Sequence, residues 1–421
     1  MIAGQERQQE PEGIRKIKMK ISKTALSLFV IIAGGYLFFT KRPIDIKSLD
    51  AASSAKIIND YADKVVAKCT SASYKPGCYE EEVPKLMDFM TMRQAFEVTR
   101  SIQDKDKSYA YCHVLGHKLS AKETAKDPNR WKEVITGCPS GLCSNGCIHG
   151  AFQERFRREV LSSEEVDKMK AEIKDVCEPR HNWSPTGLEQ GTCYHALGHL
   201  LMYITGADIK KSLKVCEEVS IKDSGQDWSK LCFDGAFMQI FQPLETEDFA
   251  LVRGKQPKKE ELKSFCDKFP ENQRGSCWSE GWPLYLQEIE KPAGLVKFCS
   301  GSMIQSRDAE DRCYLGMFYV LTAEFQFDLS KVKELCLGLP SLRLNQCFAN
   351  AASRMIETDY RNISLVTDFC SQVPSEDGKN ICFRELIRYS TYNFHPGSNE
   401  FFQLCNGLPD KWKTQCLGGY K

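Results

Sequence analysis

A cysteine returns every 34 to 46 residues along most of this 421-residue chain, usually with an aromatic residue directly after it. Cys78, Cys112, Cys147, Cys193, Cys232, Cys277, Cys313, Cys347, Cys382 and Cys416 mark the series, at intervals of 34, 35, 46, 39, 45, 36, 34, 35 and 34. That is the period of a helical-hairpin repeat, a unit that cannot bury its apolar face alone and therefore stacks on its neighbours. The spacing predicts an all-α array of stacked hairpins, an α-solenoid, and gives a register in which other positions can be compared.

Most marker cysteines have a partner 9 to 16 residues upstream: Cys69 with Cys78, Cys138 with Cys147, Cys177 with Cys193, Cys216 with Cys232, Cys266 with Cys277, Cys299 with Cys313, Cys336 with Cys347, Cys370 with Cys382, and Cys405 with Cys416. In four linkers a proline stands four residues after the upstream cysteine, at Pro270, Pro340, Pro374 and Pro409. Proline cannot continue a helix, so the upstream cysteine closes one helix and the marker cysteine opens the next. A disulfide is expected across each turn, worth roughly 3 kcal/mol for loops of this size. Cys112 has no upstream partner, which leaves Cys143 for it, although Cys138, Cys143 and Cys147 could exchange partners.

Twenty paired cysteines do not suit a reducing cytosol. Residues 1–23 read as a basic cytoplasmic stub, residues 24–40 (TALSLFVIIAGGYLFFT) as a transmembrane signal anchor, 41–55 as a linker, and 56–421 as an extracytoplasmic cysteine-rich repeat domain. The apolar run covers about 25 Å as a helix. Arg15, Lys16, Lys18, Lys20 and Lys23 before it outnumber Lys41 and Arg42 after it, which places the N-terminus in the cytoplasm and the bulk in the periplasm, lumen or cell exterior. The rival is a cleaved signal peptide with a small-residue site at Ala51–Ala55. A formal net charge of +1 offers no field for nucleic acid. Asn182-Trp183-Ser184 and Asn362-Ile363-Ser364 fit the glycosylation pattern.

The residue after each marker cysteine is mostly aromatic or aliphatic (Tyr79, Ile148, Tyr194, Phe233, Trp278, Tyr314, Phe348, Phe383), as core between stacked hairpins requires. Small residues recur three to five places beyond the markers, as Gly116, Gly150, Gly198, Gly235, Gly281, Gly316 and Ala351, and predict close helix packing or a loosened first turn. Over roughly residues 60–421 the chain resembles the secreted, cysteine-rich tetratricopeptide-like repeat proteins, which also staple one hairpin to the next once per repeat. The resemblance implies the architecture, and a protein or peptide partner on the concave face. The cysteine gaps are wider here, so no binding residues carry over.

Histidine supplies the sharper signal. Five of the seven histidines open three of the predicted helices, and His-x-Leu-Gly-His occurs twice, as His113–His117 and His195–His199, with His149 between. Residues four apart share one face of a helix, so each pair could hold a metal ion. His149 could add an imidazole, and Asp234 extends the same stripe. Imidazole with carboxylate suits zinc, iron or copper, and haem ligation needs as little as one histidine. Against this, helices packed 8–10 Å apart keep equivalent positions from meeting at one ion unless the array curves sharply, and His113 falls where core aromatics stand. His181 and His395 are expected at the surface. The long repeats between Cys147 and Cys277 carry extra loop residues, which in solenoids gather on a binding face. No HExxH, phosphate-binding glycine loop, Gly-x-Ser-x-Gly or CxxCH motif occurs. Two readings follow. One is a membrane-anchored repeat scaffold that binds a protein or peptide and carries a metal site. The other is a metal- or haem-dependent extracytoplasmic enzyme centred on the paired histidines.

Overall fold

A computed structural model describes residues 51–419, apart from Gly141 and the segments 157–159, 223–224, 244–245 and 301–306. The described residues belong to one unit, Ile46–Lys421, and are helical, with three isolated β-bridges and no strand among them. Ten disulfides join the cysteines: Cys112 pairs with Cys143, and each of the other nine marker cysteines with its upstream neighbour. The bridges fit an oxidising compartment. Pro270, Pro340 and Pro409 stand at the N-cap of the helix that follows, where a missing N–H costs nothing.

Eight inner helices carry the site: α1 (His113–Lys126), α2 (Gly146–Phe156), α3 (Gly187–Ile204), α4 (Ser229–Phe241), α5 (Glu271–Glu280), α6 (Arg307–Glu324), α7 (Ser341–Thr358) and α8 (Glu376–Asn393). Each packs on the next, and shorter helices such as Ile209–Ser220 and Leu329–Leu337 back them. The residues that follow the marker cysteines are buried from Tyr79 to Phe383. Helix α3 begins with a capping box: Glu189 N–H donates to Thr186 Oγ1 at 3.2 Å, and Thr186 N–H donates to Glu189 Oε2 at 2.8 Å.

The array does not stay open. Helix α8 packs against α3, where Tyr392 covers Gly187 and Gly191. Leu142 bridges to Asp359, and Arg354 Nη1 donates to Ser144 Oγ at 3.1 Å across 210 residues of sequence. The inner helices thereby line a partly open cavity of about 460 Å³, with residues from α1 round to α8 in its wall. Of the insertion segments, Leu188, Gly191 and Thr192 of the first and Lys230 and Leu231 of the second line the cavity, while other described parts of them turn away from it. Arg180, in the loop before α3, donates instead to Lys132 O and Thr136 Oγ1 of an outer helix.

The single-pass membrane placement requires correction. Among the described residues no helix is long and apolar enough to cross a membrane. The segment 24–40, expected as the anchor, and the stub 1–23 lie outside the described residues.

Candidate metal centre

Glycine makes the site geometrically feasible. A Cβ on Gly146 would lie 2.2 Å from the His113 carbonyl oxygen, and one on Gly150 would lie 2.1 Å from that of His117. Only hydrogen fits there, so the α1 and α2 backbones approach more closely than side chains would allow. The same holds between α3 and α4, where Gly198 faces Cys232 O at 2.1 Å and Gly235 faces His195 O at 2.0 Å. The separation that argued against histidines of successive helices meeting is removed at these two junctions.

His113, His117 and His149 are all buried, and their ligand nitrogens lie within 4.8 Å of one another. The group could hold a metal ion. His149 stands at its centre, with its ring centroid 5.1 Å from those of His113 and His117, 5.3 Å from His195 and 5.5 Å from His199. His149 Nε2 is buried and has no hydrogen-bond partner.

Proton accounting fixes the ring faces. Asp248 is buried and accepts from Tyr203 O–H. The Tyr203 oxygen in turn accepts from Gln153 Nε2 at 3.4 Å, which turns Gln153 Oε1 toward His117 Nδ1 at 2.9 Å. An amide oxygen only accepts, so His117 carries its proton on Nδ1. His113 Nδ1 faces the Cys143 carbonyl at 3.3 Å and is protonated for the same reason. A neutral imidazole has one N–H. Both Nε2 atoms therefore present lone pairs to each other at 3.0 Å.

Burial prevents a proton from relieving this contact. It pushes the His113 pKa down to about 3, with the Arg354 charge adding to the effect. Burial likewise holds His117, His149 and His195 well below the ordinary imidazole value, helped by their neighbours in the cluster. His199 is lowered by burial too, against the opposing influence of Gln239 and Asp248. Neutral imidazoles at His113, His117 and His149, the first two with lone pairs converging, make a group that could hold a cation.

The irregular disulfide supports this arrangement. Cys143 and Ser144 both have left-handed backbones, with φ of 52° and 48°, a conformation that costs roughly 1–2 kcal/mol per residue outside glycine. The Cys112–Cys143 bridge holds that turn beside His113, where the Cys143 carbonyl sets the ring's tautomer. Ser144 is further held by Arg354, whose guanidinium also bonds Glu357 and Tyr319. Tyr389 O–H donates to the second oxygen of Glu357 at 2.8 Å.

Of the residues singled out from sequence, the structure brings the five histidines together. His195 and His199 place their Nε2 atoms 3.2 Å apart. Asp234 is on the cavity wall, but its carboxylate is held by Lys230 at 2.8 Å. His181 and His395 are exposed. The sequence reading missed Gln153 and Gln239, which follow the tight-packing Gly150 and Gly235 by three and four residues, a spacing that could have signalled them. It had no means of finding Tyr203, Asp248 or Arg354, whose roles depend on packing between repeats. Glu280, also in the cavity wall, has its pKa pushed up to about 8 by burial and by Asp234, while Gln242 Nε2 donates to it at 2.8 Å. No family model, curated protein or solved structure matches this chain, so its function is argued from this geometry.

Proposed function

We propose that this protein is a metal-dependent enzyme in which His113, His117 and His149 hold a late transition ion beside the cavity. The observation that carries this reading is the pair of converging lone pairs at 3.0 Å, which are repulsive without a cation between them. An imidazole-only set suits zinc or copper, while calcium and magnesium require oxygen ligands. Nitrogens so close together leave no room for a macrocycle between them, which favours a bare ion over haem.

The cavity volume suits a small molecule, and this favours an enzyme over the scaffold that takes a protein or peptide partner, a reading that rests on repeat architecture alone. A bound ion of this kind supplies Lewis acidity and activates water. The chain's own groups do the rest. Gln153, Tyr203 and Asp248 keep His117 in its ligating tautomer. Glu280 retains a proton near neutral pH in the cavity wall, where it would serve as an acid–base group for a substrate bound there.

The full chain, purified and analysed for metal, should carry zinc or copper and lose it to a chelator. Screening ester, amide and phosphate substrates should reveal an activity that disappears with the metal and in His117→Ala. A metal-free protein that takes up neither ion, or a His117→Ala variant as active as the wild type, refutes the proposal.

A further inference from the structure

The apparatus around the first histidine pair is built twice. In α1 and α2 a His-x-Leu-Gly-His helix packs through glycine onto a helix that supplies a glutamine to the second histidine. Helices α3 and α4 repeat each part. Gly198 and Gly235 make the close approach. His195 and His199 face each other through Nε2 at 3.2 Å, against 3.0 Å in the first pair. His199 Nδ1 meets Gln239 Oε1 at 2.6 Å, as His117 Nδ1 meets Gln153 Oε1 at 2.9 Å. Gln239 is 2 % exposed, and its amide nitrogen has no partner. A buried, half-satisfied glutamine is costly, and its position is accounted for if orienting His199 is its role. As at His117, the amide oxygen places the His199 proton on Nδ1 and leaves Nε2 as a donor pair aimed at His195.

The two halves differ in ligand number rather than in access. His113 and His195 both line the cavity, with Lys230 and Asp234 of α4 also in the wall, while His117 and His199 do not. His149 touches both pairs and is stacked on His195 with an interplanar angle of 18°. Three imidazoles serve the first position, and the second has two. Closed sites hold ions structurally, and open positions are where exchangeable ligands bind.

We infer that His195 and His199 form a second ion site, so that the centre holds two late transition ions with His149 between them, and that the second ion, with fewer protein ligands, is the one that takes an exchangeable ligand. The inference rests on the metal reading of His113, His117 and His149. The ligands are all neutral, so the charge of two ions is left for an anionic group in the cavity to balance. An anionic substrate is the class such a centre takes.

The test is zinc stoichiometry on the chelator-stripped full chain, by equilibrium dialysis and elemental analysis. Wild type should bind two zinc ions per chain. The double variant His195→Ala/His199→Ala and the double variant His113→Ala/His117→Ala should each bind one. One ion in the wild type that survives His195→Ala/His199→Ala removes the second site and leaves the first. One ion lost in both double variants means a single shared site and also overturns the inference. No ion in the wild type overturns both readings. Should the variants fail to fold, wild type loaded with two equivalents of Cu²⁺ still decides: two neighbouring ions give a spin-coupled resonance spectrum, and two uncoupled Cu²⁺ signals refute the paired centre.

Discussion

Gly150→Ala tests the reasoning at its most sensitive point. The new Cβ would lie 2.1 Å from His117 O, 2.4 Å from Ser120 Oγ and 2.5 Å from His117 Cα. Ser120 can rotate away, but the other two atoms are α1 backbone. The helices must separate until the closest contact passes 3.0 Å, a movement of roughly 1 Å. Overpacking of this kind costs about 1–3 kcal/mol, and replacing a helical glycine by alanine returns up to about 1 kcal/mol. Folding stability should therefore fall by no more than about 3 kcal/mol. Metal binding should suffer directly. His149 rides on α2 while His113 and His117 ride on α1, and metal–imidazole bonds tolerate about 0.2 Å around 2.0–2.1 Å. Withdrawal by roughly 1 Å removes one of three ligands. Disturbing a supporting group alone weakens binding about 10–100-fold, so losing a ligand should weaken zinc by at least about 100-fold, or about 2.8 kcal/mol. The assay is a competitive zinc titration beside a denaturant melt. Gly316→Ala is the control: its Cβ meets nothing within 4 Å, so it should leave zinc affinity unchanged. Wild-type zinc affinity in a folded Gly150→Ala protein would refute both the close-packing argument and the placement of the ligands.

Gln153→Leu should weaken zinc binding about 10–100-fold with the fold intact, measured by the same titration, because His117 loses the partner that fixes its tautomer. Cys112→Ala/Cys143→Ala opens a loop of separation 31 and should cost about 3–4 kcal/mol in a denaturant melt, with zinc affinity falling as well because the Cys143 carbonyl is released from His113. The stripped protein should also lose stability as pH falls. The clustered histidines have depressed folded pKa values, so below about 6.5 the unfolded chain takes up protons that the native state refuses. The stability is complete above about 6.5 and, for His113, is lost progressively toward about 3, at up to about 1.4 kcal/mol per pH unit for each histidine. Equal denaturation midpoints at pH 7.5 and 5.5 would contradict neutral burial of the cluster.

The sequence determined a great deal on its own. A cysteine every 34 to 46 residues with an aromatic neighbour specifies stacked helical hairpins, since period and burial are local properties of the chain. Nine of the disulfide staples were legible because each closes a short loop, and the paired histidines because four residues is about one turn of helix. Tertiary structure decided whether those histidines meet. Ordinary helix spacing keeps them apart. Contact depends on Gly146, Gly150, Gly198 and Gly235 each falling opposite a backbone carbonyl of the neighbouring helix, and no pattern within one repeat reveals that. Closure is likewise a property of the whole array. The curvature contributed at each junction adds up until α8 reaches α3 and Arg354 reaches Ser144. Only that sum turns an inner face into a cavity and gives the histidine cluster something to act upon.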